Sequence, residues 1–217
     1  GTIEVLDINE NFTKYNSLDD AKKNGISFVS GDRKKEGILP NLSIYENLVV
    51  PLYKKTSRGG FLGFVDWLEL NGIFDWEVDR LSIKTGPRDN LIGSLSGGNQ
   101  QKVMVGRWLI KDSELLILDE PFQGVDIQAR RDIGSFIRKT AKGRGTIVFV
   151  AELDEALEIA DRVIVMNNKA ILGDHLNNNI NLNKIIQDKY RSVGCYECQF
   201  FTIRIFNNPY NFCINRK

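Results

Sequence analysis

The stretches LSGGNQQK at Leu95–Lys102 and LLILDEP at Leu115–Pro121 decide how this chain folds. The segment between them has helical spacing, because Met104 and Trp108 lie four positions apart and therefore share one helix face. The second stretch is a short continuous apolar run, as expected for a strand whose two faces are both covered. The pair predicts a glycine-led helix followed by a buried strand that ends in two acids.

The acids Asp119 and Glu120 close that apolar run. A strand delivers them to its carboxyl end, where open α/β sheets bind their ligands. An aspartate there can hold a magnesium ion, directly or through water, because hard cations prefer oxygen ligands. Glu120 points the other way along the strand and can polarise an attacking water as a general base. Taken alone, the same pattern also fits a buried strand that ends in two solvated acids.

The octapeptide adds a second chemical feature. Ser96 offers a hydroxyl, while Gly97 and Gly98 let bare backbone amides approach a phosphate closely. These residues precede the helical spacing at 99–110, so they lie at a helix amino terminus, where the dipole and the unpaired amides favour an anion. Ser-Gly-Gly alone fits an ordinary loop, but the whole octapeptide ahead of an acidic strand predicts a phosphate contact.

Composition limits the classes of protein to consider. The chain has 217 residues, 42% of them apolar, which is enough for one compact domain or a domain with a tail. Its formal charge of +1 argues against a dedicated nucleic-acid surface. No apolar run approaches the roughly 18 residues that cross a bilayer, and no leader is visible, so we expect a cytosolic protein that reaches a membrane only through a partner.

Segments rich in β-branched residues alternate with amphipathic ones, which predicts a mainly parallel sheet covered by helices. Strands are predicted at 2–6, 26–30, 115–118, 146–150 and 162–166. Helices are predicted at 17–24, with Ser17 as the cap and Gly25 at the end, and at 127–142 and 153–160. The region 32–90 has no clear strand and is interpreted as a mainly helical insertion. The Asn-rich tail from about 176 has no periodicity and receives no structural prediction.

With these motifs the chain resembles the ATP-binding subunit of an ABC transporter. More narrowly, it resembles the second of the two ATP-binding domains in importers of ribose, galactose, xylose and related simple sugars. The narrower resemblance rests on LSGGNQQK, on GDRKKEG at Gly31–Gly37 and on PFQGVD at Pro121–Asp126, and it covers roughly residues 2–175. It implies an α/β, P-loop-NTPase-like fold with an α/β body at 1–31 and 91–175, a helical subdomain at 32–90, and a separate tail at 176–217.

The resemblance also implies roles for individual residues. Asp119 would serve Mg²⁺, Glu120 would be the catalytic base, and Asp126 would couple the two ATP sites of a dimer. Contacts to the γ-phosphate of an ATP held by the partner domain would come from Ser96, Gly97, Gly98 and Asn99.

Partners follow from the same resemblance. It implies head-to-tail pairing with a second ABC ATPase domain, membrane permease subunits against the helical subdomain, and, indirectly, a periplasmic or extracellular sugar-binding protein. The place of action would be the cytoplasmic face of the cell membrane. The Ser30–Gly31 region matches the loop that senses nucleotide and touches the permease.

Several departures from the family pattern bear on activity. No stretch fits the phosphate-loop pattern GxxxxGK[ST], so we expect an amino-terminally truncated ABC ATPase, with that loop a few tens of residues before Gly1. The glutamine or glutamate expected near position 31 is Gly31, and the histidine that many relatives place after the strand at 146–150 is Ala151. Neither side chain can replace carboxamide or imidazole chemistry, so the chain's own ATP site is expected to be weak or silent.

Alternative interpretations remain open at this point. A non-transport ABC ATPase of DNA repair or translation would share the two motifs, but no coiled-coil or basic segment is visible. A non-catalytic module that lends Ser96–Gly98 to an active partner fits the departures, and a gene fragment without function fits the aperiodic tail.

Three weaker signals lie outside the main motifs. The thiols of Cys195, Cys198 and Cys213 are interpreted as reduced and incidental rather than as a zinc site. The only histidine, His175, is interpreted as a solvated loop residue. The basic cluster at 33–35 fits either a solvated loop or a surface that faces a permease or a phosphate.

Overall fold

The chain divides into two compact units in the computed structural model, which describes residues 5–6, 12–13, 17–53, 57–58, 64–110, 113–141, 143–167, 170–179, 181–190 and 199–205. The sheet unit comprises Gly1–Phe28, Ser113–Glu120 and Ile137–Lys217. The helical unit comprises Val29–Asp112 and Pro121–Phe136. The helical unit thus takes in more than the segment 32–90, because it also holds the LSGGNQQK segment and the residues that follow Glu120.

The strands in chain order are β1 (Val5–Leu6), β2 (Phe12–Thr13), β3 (Ile26–Val29), β4 (Ser57–Arg58), β5 (Phe64–Val65), β6 (Leu115–Asp119), β7 (Gly145–Val150), β8 (Arg162–Asn167), β9 (Ala170–Leu176) and β10 (Gln199–Ile205). The helices are α1 (Leu18–Lys23), α2 (Ile44–Val49), α3 (Trp67–Arg80), α4 (Gly97–Leu109), α5 (Ile127–Thr140), α6 (Leu153–Ile159) and α7 (Leu182–Tyr190). A π-helical turn spans Arg33–Gly37, and short 3₁₀ turns occupy Val50–Leu52, Ile92–Ser94 and Asn177–Asn179.

Within the described residues, the main sheet has six strands in the order β3-β6-β7-β10-β8-β9. Strands β6 and β7 are parallel, with Leu118 opposite Val148, as the apolar runs predicted. Strand β10 is antiparallel to both β7 and β8, so those two strands run in the same direction on either side of it. Strands β8 and β9 form an antiparallel hairpin.

The core of the sheet unit comes from the apolar runs noted in the sequence. Leu116, Leu118, Val150 and Ile164 are at most 2% exposed. Burial of one such side chain stabilises a fold by about 1.5–3 kcal/mol relative to leaving it exposed. These runs are continuous rather than alternating because helices or neighbouring segments cover both faces of the strands.

Helix α1 begins and ends where the sequence predicted. The Ser17 hydroxyl oxygen accepts a hydrogen bond from the Asp20 amide at 3.1 Å, which satisfies one of the unpaired donors of the first turn. Gly25 follows the helix with φ +76°, a conformation that a residue without a Cβ adopts at little cost.

The helical unit has its own apolar core around α2 and α4. Helix α2 begins with a capping box, in which Ser43 and Glu46 bond reciprocally to each other's backbone amides. Gly106 of α4 is pressed against the side chains of Leu48 and Leu81, so the two helices approach closely at this point. The short antiparallel β4–β5 pair is a departure from the strand-free interpretation of 32–90.

The interpretation of His175 as a solvated loop residue is wrong. His175 lies on β9, its side chain is 9% exposed, and its Nε2 lies 2.9 Å from Oδ2 of Asp188 on α7. Gly173 leaves room for this pair, since a Cβ at that position would lie 2.3 Å from the same Asp188 oxygen. The three cysteines lie outside the described residues, so the structure does not test the interpretation of their thiols.

Candidate nucleotide-contacting sites

The amino terminus of α4 presents hydrogen-bond donors. Ser96 caps the helix: its hydroxyl oxygen accepts from the Asn99 backbone amide at 3.5 Å and from the Asn99 side-chain amide at 3.0 Å. These bonds use the lone pairs of the exposed hydroxyl and leave its proton available. In the part of the chain that the structure describes, the amides of Gly97 and Gly98 have no acceptor, as expected for the first positions of a helix. The arrangement suits an anion.

The glycines are required by their surroundings as well as by a ligand. A Cβ on Gly98 would lie 2.9 Å from the Cβ of Ala129, and a Cβ on Gly97 would lie 3.5 Å from the carbonyl oxygen of Gly124. The backbone of the loop therefore packs directly against the first turn of α5 and the segment before it. A larger residue at position 98 forces one of these elements to move.

The first half of NQQK shapes the loop. The side-chain oxygen of Asn99 accepts a hydrogen bond from the Lys84 amide at 3.0 Å, so this side chain contacts both Ser96 and a neighbouring segment. The Gln100 side-chain amide donates to the carbonyl of Leu95 at 2.9 Å and closes the loop on itself. Both residues hold the serine and the glycines in place.

The second half of NQQK anchors α4. Gln101 is 1% exposed, and its side-chain amide donates to the carbonyl of Pro121 at 2.9 Å. The Lys102 ammonium is also buried and bonds Oδ2 of Asp132 at 2.6 Å and the carbonyl of Ser82 at 3.0 Å. The octapeptide is thus a donor loop followed by the residues that fix its position.

Asp126 lies beside the same loop. Its Oδ1 accepts a hydrogen bond from the Ala129 amide at 2.8 Å, which caps the start of α5. Its Oδ2 lies 3.6 Å from the position that a Cβ on Gly98 would take. The structure therefore brings Asp126 together with Ser96, Gly97, Gly98 and Asn99 in the helical unit.

Asp119 and Glu120 lie in the sheet unit. Asp119 is the last residue of β6 and pairs with Phe149 of β7. Glu120 leaves the strand with φ +42°, an uncommon conformation for a residue with a side chain, and its amide donates to the Phe149 carbonyl at 3.0 Å. Such conformations concentrate at functional sites, where surrounding structure holds them.

Burial raises the pKa of the Glu120 carboxyl above its ordinary value. A hydrogen bond from the Ala151 amide opposes this shift, and the neighbouring charges of Asp119 and Glu152 raise the pKa further. A raised pKa moves a carboxylate toward the range in which a general base works near neutral pH. Ala151, which lacks an imidazole, thus contacts the candidate base through its backbone.

Asp119 and Glu120 supply only some of the ligands that a magnesium ion requires. Within the described residues, no group of three or more His, Cys, Asp or Glu side chains could hold a metal by itself. Mg²⁺ bound to a nucleotide is commonly coordinated by one or two carboxylates together with phosphate oxygens and water. Asp119 suits that role, because it needs the phosphates to complete the coordination.

One contact of the candidate site was not predicted from the sequence. Arg33, in the GDRKKEG block, donates from Nη1 to the carbonyl of Gly97 at 3.1 Å and to Oε1 of Gln101 at 3.3 Å. The GDRKKEG block stands out in the sequence, but the sequence does not indicate this contact, because Gly97 lies 64 positions after Arg33.

Comparison with known proteins gives the class: the sequence model of the family described as ABC transporter matches residues 1–123, and the chain belongs to this family. More narrowly, it is an ABC transporter ATP-binding domain that resembles sugar-import ATPases. It is 37% identical over 170 residues to the galactose/methyl galactoside import ATP-binding protein MglA of Pasteurella multocida (strain Pm70), which covers 78% of this chain and 33% of that protein. It is 36% identical over 172 residues to the arabinose import ATP-binding protein AraG of Pectobacterium atrosepticum, with coverage of 79% and 34%. The chain spans about a third of the length of the curated relatives it matches.

Solved structures confirm the predicted fold. The ATP-binding cassette MJ0796, in a dimeric post-hydrolysis state bound to ADP and Pi, superposes with a TM-score of 0.65 at 20% identity, covering 82% of this chain and 74% of that one. The cassette MJ1267 gives 0.62 at 20% identity, with 82% and 70% covered. The chain therefore has the ABC cassette fold, an α/β architecture in which β6 and β7 are parallel and β9 and β10 run antiparallel to their neighbours.

Proposed function

We propose that this chain is an ATP-hydrolysing component of an ABC transporter that energises import of simple sugars. In this proposal its loop Ser96–Gly98 acts in trans on an ATP held by the partner domain. The observation that carries the proposal is that the Gly97 and Gly98 amides, beside the Ser96 hydroxyl, have no acceptor among the residues that the structure describes. The galactose, ribose and arabinose import proteins among its relatives support the substrate class.

The loop Ser96–Gly98 would stabilise the negative charge of the phosphoryl group in the transition state. As the γ-phosphoryl group is transferred, negative charge spreads over its oxygens, and fixed donors aimed at those oxygens stabilise the transition state. Ser96 would donate its hydroxyl proton, and Gly97 and Gly98 their amides, at the positive end of the α4 dipole. Loss of one preorganised donor of this kind costs about 3–4 kcal/mol.

The chain's own acids would serve a second ATP. Asp119 would hold the magnesium ion, which supplies charge neutralisation on the phosphates when it is bound with ATP. Glu120 would accept a proton from the attacking water. Gly31 and Ala151 supply no side-chain donor or acceptor, so we propose that this second site is weak or silent and that Asp126 couples the two sites.

The partners in this proposal are a second ABC ATPase domain, permease subunits and, indirectly, an extracytoplasmic sugar-binding protein. Pairing with a second cassette is supported by the dimeric cassette MJ0796, which has the same fold, and we propose that the pair is head to tail. The permease would contact the helical segment 32–90 at the cytoplasmic face of the membrane. None of the helices in the described part of the chain combines the length and the apolar character that a membrane crossing requires.

The test compares two variants in the assembled transporter ATPase. Gly97→Asp places a carboxylate where phosphate should bind, so ATP turnover is expected to be abolished. Glu120→Gln removes the base of the weak site and is expected to leave much of the turnover. Arg131→Ala, which removes an exposed charge from the same unit as Gly97, is the control.

Equal loss in Gly97→Asp and Glu120→Gln contradicts the asymmetry between the two sites. Full turnover in Gly97→Asp contradicts the assignment of the loop itself. Phosphate release at saturating ATP measures both outcomes, and thermal melting confirms that the variants fold.

A second candidate function is a non-catalytic pairing module, which the residues Gly31 and Ala151 favour. In that case the chain lends Ser96–Gly98 to an active partner and never turns over ATP itself. Titration of the purified chain with ATP distinguishes the two functions, because stable binding by the chain alone contradicts the pairing-module function.

A further inference from the structure

We propose that Arg33 is a positioning residue that holds the Ser96–Gly98 loop in the geometry required for contact with a phosphate in trans. The inference rests on the proposed function of that loop. It adds a residue from a distant part of the chain, 64 positions before Gly97, to the machinery of the site.

The guanidinium of Arg33 lies against the glycines of the site. Its Nη1 donates to the carbonyl of Gly97 at 3.1 Å, and its Nη2 lies 3.3 Å from the position of a Cβ on Gly97 and 3.9 Å from that of a Cβ on Gly124. A Cβ on Gly97 would therefore crowd the planar group, whereas one on Gly124 would only touch it. A bond to the Gly97 carbonyl fixes the orientation of the peptide that joins Gly97 to Gly98, and hence of the Gly98 amide.

The turn that carries Arg33 is itself anchored. Asp32 caps the π-helical turn Arg33–Gly37, and π-helical turns often mark functional positions. At its other end Gly37 is buried against Met104 of α4, so closely that a Cβ would lie 2.1 Å from the sulfur. Arg107 of α4 also donates to the Gly37 carbonyl at 2.8 Å. The turn that carries the Arg33 guanidinium is thus packed against α4, the helix that begins with the loop.

The charge of Arg33 has no carboxylate partner in the described part of the chain, and its two acceptors there, the Gly97 carbonyl and Oε1 of Gln101, are neutral. Its Nε is buried without an acceptor among those residues. In the same unit Lys102 is neutralised by Asp132 and Lys35 by Asp32, whereas the buried Arg107 bonds the neutral acceptors Asn47 and Gly37. Because no carboxylate neutralises it within the described residues, the Arg33 guanidinium keeps its positive charge beside the loop. Its field adds to the positive end of the α4 dipole beside Gly97.

Arg33 is also the first member of a hydrogen-bonded chain. It donates to Oε1 of Gln101 at 3.3 Å, and the Gln101 amide donates to the carbonyl of Pro121 at 2.9 Å. Pro121 opens the segment that continues to Asp126, which in turn lies beside Gly98. Removal of Arg33 therefore loosens the loop directly and through Gln101.

The experiment measures ATP turnover by Arg33→Ala, Arg33→Lys and the control Arg131→Ala in the assembled transporter ATPase. Loss of a charge-assisted hydrogen bond is expected to lower kcat for Arg33→Ala by at least about tenfold. Arg33→Lys keeps the charge and one donor and is expected to recover part of that loss. Binding of ADP, which lacks the γ-phosphate, and the melting temperature are expected to match the control.

Two results overturn the inference. One is turnover by Arg33→Ala equal to that of Arg131→Ala. The other is a fall in kcat that is matched by a fall in melting temperature and in ADP binding, which indicates a purely structural role. If Arg33→Lys recovers nothing, the role of the charge is overturned. The proposed function fails separately, through retained turnover in Gly97→Asp, so the two failures are distinguishable.

Discussion

The pKa values of two glutamates, Glu120 and Glu46, are shifted in opposite directions by their surroundings. Burial raises the pKa of Glu120 in the sheet unit, and the nearby charges of Asp119 and Glu152 act in the same direction. In the helical unit, hydrogen bonds from the backbone and hydroxyl of Ser43 lower the pKa of Glu46. The difference arises from hydrogen bonding and solvation rather than from the carboxyl groups themselves.

These directions predict the order of protonation. On acidification Glu120 takes up its proton above the ordinary value of 4.5 and Glu46 below it. Carbon-13 NMR titration of the glutamate carboxyls measures both midpoints. The same midpoint for the two residues, or a lower one for Glu120, contradicts the environments described above.

The raised pKa of Glu120 also predicts how the stability of the fold changes with pH. A carboxyl that protonates more readily in the folded state than in the unfolded state loses stability as the pH rises through its folded pKa. Glu120→Gln removes that loss, so its melting temperature is expected to exceed that of the parent at pH 7.5 and to approach it below pH 4. Thermal melting at both pH values measures the difference. A variant less stable than the parent at pH 7.5 contradicts the prediction.

At the scale of elements, helices α3 and α4 each contain a glycine in their interior, in opposite surroundings. Gly72 of α3 has nothing within 4 Å of the position of an added Cβ. At Gly106 of α4 an added Cβ would lie 2.5 Å from a methyl carbon of Leu81 and 3.2 Å from one of Leu48. The first glycine costs helix stability, whereas the second allows α4 to approach its neighbours.

The same substitution is therefore expected to change stability in opposite directions. Gly72→Ala raises the free energy of unfolding by about 0.5–1 kcal/mol through helix propensity. Gly106→Ala gains the same propensity but overpacks the contact with Leu48 and Leu81, which costs about 1–3 kcal/mol, so a net loss is expected. Urea denaturation measures both variants, and a stabilised Gly106→Ala contradicts the close packing.

Elements were predictable where the signal was local. Strands β3, β6, β7 and β8 and helix α1 lie within one or two residues of their predicted bounds, because short apolar runs and a Ser cap define them. Strand β9 was missed because its sequence AILGDHL interrupts the apolar pattern with a glycine and two polar residues. Helix α7 was missed because an Asn-rich stretch precedes it, and β10 because its pairing depends on distant strands.

In the candidate site, too, local features were predictable from the sequence and long-range contacts were not. The helix-terminal placement of Ser96, Gly97 and Gly98 followed from glycine conformation and from helical spacing after the loop. The contact of Arg33 and the buried ion pair between Lys102 and Asp132 did not, because the partners lie 64 and 30 positions apart. A charge pattern in sequence does not indicate which distant atom a long side chain reaches.

At the scale of the whole molecule, each of the two compact units has its own core and its own polar anchor. In the helical unit Arg107 is buried against α2 and bonds to Asn47, and burial lowers its pKa to about 10. In the sheet unit the His175–Asp188 pair ties α7 to the β8–β9 hairpin. Removing one partner of a buried pair is destabilising because it leaves the other without compensation.

Local stability is therefore expected to respond separately in the two units. Asp188→Asn is expected to accelerate hydrogen exchange in β8, β9 and α7, with little change in α2 and α4. Gly106→Ala is expected to do the reverse. Exchange measured by mass spectrometry resolves these segments, and uniform acceleration in both variants contradicts separate cores.

The position of β10 determines when the sheet can be completed during synthesis. Among the described strands, the β8–β9 hairpin is joined to β7 through β10, whose Phe200 pairs with both Val150 and Val165. The ribosome makes β7, β8 and β9 before Gln199–Ile205, so a gap between β7 and β8 persists until β10 has been made. Pairings of such large sequence separation form slowly. The nascent chain thus passes through a stage in which β7 and β8 each have an unpaired edge, and such edges are prone to aggregation until chaperones or β10 cover them.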